Sequence, residues 1–251
     1  MGILGKLVGG TVGFALGGPV GALVGVATGH FVSDRRSRRR SPRIPAESPE
    51  NRQAVFLASV VILAAKLCKV DGTVTRDEIT TVRRVFSIPE SEKEAVGALF
   101  NTAKSDAAGY EPYAMQIAKV FGGDREMCKN LVASLIMIAC ADGAYHPLER
   151  RFIANVADIL DLSANDLRQV ESMFAPTAAV SHKEDPYQTL GMQSDATDAE
   201  IKAAHRKILM ENHPDLMMAR GLPEELRKIG DRKLAAANAA YDEIKRIRKA
   251  A

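Results

Sequence analysis

With 251 residues, 46% of them apolar, the chain can bury more than one core, while a net charge of +3 is too small to mark a nucleic-acid binder. Three cysteines, with no CxxC pair among them, exclude a disulfide framework and a cysteine zinc site, and fit a reducing compartment. Cys68, Cys128 and Cys140 each sit in apolar surroundings and are expected as buried structural thiols.

From Leu7 to Val32 there is no Asp, Glu, Lys or Arg. As a helix this run reaches roughly 39 Å, more than the hydrocarbon core of about 30 Å. Glycine recurs at every fourth position, including Gly9, Gly13, Gly17, Gly21 and Gly25. Such spacing draws a shallow stripe that lets a second helix approach to backbone contact, so a homodimer through the stripe is an expectation. Interior glycines weaken a helix in water by about 1 kcal/mol each, whereas lipid enforces helix because the backbone has no other partner. Three readings stay open: a single span, a hairpin bent at Gly17-Gly18-Pro19, and a soluble or cleaved segment. The Arg35, Arg36, Arg38, Arg39, Arg40 and Arg43 cluster after the run behaves as a cytoplasmic anchor. It favours a single-pass anchor over 1–32, with the N-terminus outside and the rest cytoplasmic. Residues 33–52, rich in Arg, Pro and Ser, then read as a linker in which Pro42, Pro45 and Pro49 prevent continuous helix.

Residues 53–175 read as helical throughout. Val55–Ala65 and Leu131–Ala141 are almost wholly apolar and too short to span a bilayer, so they are expected as core helices. An offset of 71 positions superimposes Asp71-Gly72 on Asp142-Gly143 and Glu78 on Glu149. That is an internal duplication of a helix–turn–helix unit and predicts a pseudo-symmetric all-α bundle. Asp71, Glu78, Asp142 and Glu149 admit two readings. As oxygen donors they would suit a divalent cation such as calcium, magnesium or manganese. As local structure, Thr75 and Glu78 make a capping box, Pro147 and Glu149 take the first and third positions of a helix, and Gly72 and Gly143 supply left-handed caps. The stretches LAAKLCKVDGTVTRDE and LIMIACADGAYHPLER resemble the TerB-like domain family, for which metal chelation by the acidic turns has been suggested. The second repeat departs by carrying Tyr145-His146-Pro147 where the first has Val74-Thr75-Arg76.

After a small-residue linker over 176–183, Asp185-Pro186-Tyr187 opens a short helix ending at Leu190-Gly191. Thr197 and Glu200 form a capping box for a helix reaching about Asn212, with Ile201, Ala204, His205 and Ile208 on its inward face. Pro214 is expected to block further helix and present His213 and Asp215 together in a turn. A long loop follows, then a helix from about Glu224 to Arg248 carrying Leu234, Ala237, Ala240, Tyr241 and Ile244. The residues DPYQTLG, AEIKAAHRKILMENHPD and AANAAYDEI resemble a J domain of the DnaJ co-chaperone family over about 184–248, within a domain expected at 184–251. The resemblance implies docking to a DnaK-type chaperone ATPase. Lys202, Arg206 and Lys207 would meet an acidic surface, and His213, Pro214 and Asp215 would trigger ATP hydrolysis in the partner. His205 departs from the family's usual Tyr, and Leu216-Met217 from its frequent Arg-Asn.

The order of glycine-rich transmembrane helix, TerB-like bundle and terminal J-domain hairpin resembles the DjlA-type membrane-anchored co-chaperones of Gram-negative bacteria. It implies an all-α, non-enzymatic co-chaperone at the bacterial inner membrane that needs no cofactor and meets a client through the central bundle. A second reading makes the protein a membrane-tethered stress or metal-ion sensor whose acidic bundle binds a cation or partner, with the J domain as output. No nucleophile–base pair or phosphate-cradling loop is legible, so hydrolase and transferase chemistry find no support.

Overall fold

A computed structural model of the chain describes residues 49–70, 93–105, 109–121, 123–175, 185–219 and 224–250. Every described element is helical, and the described residues divide after Gly123 into two compact units. The glycine stripe, the Asp71–Glu78 turn and the 176–183 linker lie outside the described residues. Among the described residues, no helix is long and apolar enough to cross a membrane.

The first unit holds α1 (Pro49–Leu67), α2 (Lys93–Ser105) and α3 (Glu111–Phe121). Helix α1 starts at Pro49, inside the stretch read as linker. A first-turn proline fits because its missing N–H would have no intrahelical acceptor there. The apolar run of α1 does form a core: Val60, Ile62, Leu63 and Leu67 are buried and the helix packs on α2 and α3. Lys66 is buried too, with its ammonium 5.4 Å from the centroid of the Tyr113 ring.

In the second unit, α4 (Arg125–Ala139) is capped by Asp124, whose Oδ1 accepts from the Met127 amide at 3.1 Å. Its apolar residues are buried nearly all round, as the sequence pattern demands, and it packs against α5 (Pro147–Ile159) and α6 (Ala164–Phe174). The turn between α4 and α5 contains a 3-10 segment, Cys140–Asp142, closed by Gly143 at φ +89°. The glycine cap expected at the second acidic turn is therefore present. Pro147 opens α5, and Glu149 accepts from the His146 amide through Oε2 at 3.0 Å. Tyr145 donates to buried Glu171 at 3.4 Å, and Arg150 bonds both oxygens of that carboxylate at 3.0 Å. Burial and the Glu171 charge push the Tyr145 hydroxyl far above its ordinary pKa, so it stays a donor. Cys128 is buried, and burial raises its thiol to about 11. Cys140 is only half-buried, because it lies where α4 ends and the turn leaves the core.

The same unit continues with α7 (Pro186–Thr189), α8 (Asp198–Glu211), α9 (Pro214–Ala219) and α10 (Glu224–Ala250). Helices α8 and α10 form a hairpin around Tyr187, Leu190, Ile201, Ile208, Ala237, Ala240 and Ile244, all buried. Two details differ from the sequence reading. Pro214 ends α8 but also opens α9, since its ring clashes with a preceding helical residue yet suits a first helical position. The chain after Pro214 is not loop from the start: α9 runs to Ala219, and α10 begins at Glu224, as expected.

Candidate functional site

The hairpin places His213-Pro214-Asp215 at the junction of α8 and α9. Thr197 and Glu200 start α8 as the expected capping box, with the Thr197 amide 2.7 Å from Glu200 Oε2. At the other end Asn212 is buried, and both its amide and its Nδ2 donate to the Ile208 carbonyl, at 3.1 and 3.0 Å. These two hydrogen bonds to one carbonyl close the last turn of α8 at Asn212, and Pro214 prevents its continuation. His213 then acts as the cap of α9: its carbonyl accepts from the Met217 amide at 3.0 Å, and its Nδ1 accepts from the Asp215 amide at 3.3 Å. With Nδ1 accepting, the neutral ring carries its proton on Nε2. The side chains of His213 and Asp215 are 58% and 81% exposed, and Nδ1 lies 3.8 Å from Asp215 Oδ2. The turn presents an imidazole donor and a carboxylate to an incoming surface.

Beneath the exposed turn lies a fixed support. Met217 is buried, and its sulfur sits where a side chain at Gly230 of α10 would begin, 2.5 Å from that position. Only glycine permits this approach without displacing Met217. Leu216, by contrast, is exposed beside the turn, as is Met210 in the last turn of α8.

Lys202, Arg206 and Lys207 are all exposed on α8. Among the described residues neither Lys202 nor Arg206 has an ion-pair partner, so both charges are open. Lys207 differs: it lies 3.8 Å from Glu211 and lines a crevice toward the second central repeat. His205 stacks on Tyr241, centroids 4.3 Å apart, and its Nε2 lies 2.8 Å from Asn238 Oδ1. The substitution of the family's usual ring is thus absorbed by the α8–α10 contact.

Sequence reasoning missed a polar seam between the second repeat and the hairpin. Lys233 of α10, its side chain 3% exposed, reaches Glu126 of α4 at 3.1 Å. Lys129 lies 3.3 Å from Glu126 and 3.2 Å from Asp166, and Arg125 completes the run with a bidentate contact to Asp166. Burial pulls the Lys233 ammonium below its ordinary pKa, and the Glu126 charge opposes that pull. The two lysines outweigh burial at Glu126, whose carboxyl lies below the ordinary range. At Asp166, bonds from Arg125, Ser163 and Lys129 likewise overcome burial and hold the carboxyl far down. A signal was available: Ile229, Lys233, Ala237, Ala240 and Ile244 are all buried on α10, so position 233 falls on the apolar stripe.

As candidate metal ligands, Asp71 and Glu78 fall outside the described residues, and Glu149 is engaged in capping α5. Among the described residues there is no cluster of three or more His, Cys, Asp or Glu able to hold a metal ion.

Comparison with known proteins follows the same order along the chain. Residues 1–41 match the family model for the co-chaperone DjlA transmembrane domain, 57–172 the tellurite resistance protein TerB model, and 185–249 the DnaJ domain model. The co-chaperone protein DjlA of Photobacterium profundum is 30% identical over 222 residues, spanning 78% of this chain and 79% of the relative. The chain belongs to the DjlA co-chaperone family. The DjlA proteins of Aliivibrio fischeri and Coxiella burnetii are 29% and 28% identical, over 79% and 80% of this chain and 81% and 80% of their own lengths. No solved structure matches the chain. The family's transmembrane model on residues 1–41 supports a membrane-anchored bacterial protein, and the TerB and J modules are those expected from the acidic repeats and the His-Pro-Asp turn.

Proposed function

We propose that the protein is a co-chaperone that docks on a DnaK-type chaperone and stimulates its ATPase at the cytoplasmic face of the bacterial inner membrane. The observation that carries this reading is the pairing of an exposed His213–Asp215 turn, on a buried Asn212–Met217 support, with open cations at Lys202 and Arg206 on the helix leading to it. Open cations steer encounter with an acidic surface and fix orientation. The turn then offers a donor and a carboxylate to the partner's machinery. Residues 1–32 serve as the anchor, with the glycine stripe as a self-association face, and the central bundle selects the client.

The test is the ATP hydrolysis rate of a purified DnaK-type chaperone with and without the full chain in vesicles. Wild type should accelerate hydrolysis and His213→Gln should not. Equal stimulation by both would reject the reading.

The cation-sensor alternative draws on the acidic turns alone. Titrating calcium, magnesium and manganese into wild type and Asp71→Asn/Asp142→Asn decides it. No cation-dependent heat in the wild type rejects it.

A further inference from the structure

Between the second central repeat and the carboxy-terminal hairpin lies a crevice of about 400 Å3, lined among others by Glu126, Lys129, Lys207, Glu211, Asn212 and Lys233. It is no mere seam beside the functional turn, because Asn212 is the residue that ends α8 and delivers His213. From Lys233 the α10 helix runs back less than one turn to Gly230. Gly230 is where Met217 and the Asn212 carbonyl abut the helix, the latter 3.5 Å from a Cβ built there. The path from Glu126 to His213 is therefore unbroken: ion pair, helix turn, packed methionine and helix cap.

We propose that Glu126 and Lys233 are positioning residues for the His213-Pro214-Asp215 turn, making the second central repeat part of the working J module. The proposal rests on the co-chaperone reading above. The pair holds register here because breaking it strands an ammonium whose side chain is 3% exposed. Anchoring Lys233 to α4 fixes where Gly230 meets Met217, and so fixes the cap from which the turn projects. The docking cations Lys202 and Arg206 project from α8 into solvent and have no part in this path. Loss of the anchor should spare encounter and impair the step after it. The arrangement also gives the central domain a physical route to the J domain: whatever shifts α4 shifts the anchor of α10.

The experiment measures single-turnover ATP hydrolysis by a DnaK-type chaperone against concentration of the full chain in phospholipid vesicles. Glu126→Gln/Lys233→Met removes both charges together and so leaves no uncompensated ion to unfold the protein. It should melt with the wild type yet lower the saturating rate about fivefold, with the half-saturating concentration unchanged. Lys233→Arg, which keeps the pair, should retain most of the rate. A folded double variant that reaches the wild-type saturating rate overturns the proposal. A wild type no better than His213→Gln sinks the co-chaperone reading itself, and the positioning role with it, which is a different outcome. If the double variant does not fold, hydrogen exchange on the unmodified chain decides. The amides of Cys128, Asn212 and Met217 should open with one shared free energy, and independent opening of α4 and α9 overturns the proposal.

Discussion

The Lys233 ammonium of α10 lies 3.1 Å from Glu126 Oε2 of α4, and the lysine side chain is almost wholly removed from water. The two partners are not equally dependent on each other. Glu126 keeps Lys129 at 3.3 Å when Lys233 is lost, whereas among the described residues the only carboxylate within ion-pair distance of Lys233 is Glu126. Breaking a buried pair costs about 3–5 kcal/mol, so Glu126→Gln should fall at the upper end and Lys233→Met at the lower. Denaturant titration of both single variants and the double checks the order, and the double should recover most of the loss.

The three cations of α8 should not behave alike. Lys202→Ala and Arg206→Ala should each slow association with a DnaK-type chaperone and flatten its salt dependence, leaving dissociation nearly unchanged. Lys207→Ala should do less, because Lys207 already has Glu211 at 3.8 Å. Stopped-flow association rates at several ionic strengths separate the three.

Acid should loosen the second unit through Asp166. Its carboxyl is depressed far below the ordinary value of 3.8 by Arg125, Ser163 and Lys129 acting against burial. A depressed acid contributes stability that is fully present above the unfolded value and lost as pH falls toward the folded one. Wild-type stability should therefore decline below about pH 4, and Asp166→Asn should be less stable at neutral pH with a shallower acid slope. Chemical denaturation between pH 2 and 7 measures both, with pH-independent behaviour in the wild type as the contrary result.

At the second acidic turn, Gly143 holds φ +89° with nothing within 4 Å of a Cβ built on it. A side chain there meets no clash, so Gly143→Ala should cost only the backbone term of about 1–2 kcal/mol. Gly143→Asn should cost less, since Asn tolerates the left-handed region. Thermal melts of the two variants provide the comparison.

The local devices were legible where each residue's role depends on near neighbours. The Thr197–Glu200 box, the Pro147–Glu149 start of α5, the glycine cap at 143 and the exposed His213–Asp215 turn all follow from short-range rules of backbone satisfaction. The pairing itself was not legible: Lys233 falls on the α10 stripe, but Glu126 stands 107 positions away and nothing local links the two. Pro214 was read for the helix it ends, though the same fixed φ suits the helix it begins. Glu149 illustrates a further limit: one carboxylate near a helix start serves capping or ligation equally well in sequence, and only its 3.0 Å bond to the His146 amide shows it engaged in the cap.

The most direct measurement of the central claim is single-turnover ATP hydrolysis by a DnaK-type chaperone with the full chain in vesicles, comparing wild type with His213→Gln. The wild type should clearly accelerate hydrolysis and the variant should leave the chaperone at its basal rate, although both chains melt alike. Equal acceleration by the two would contradict that claim.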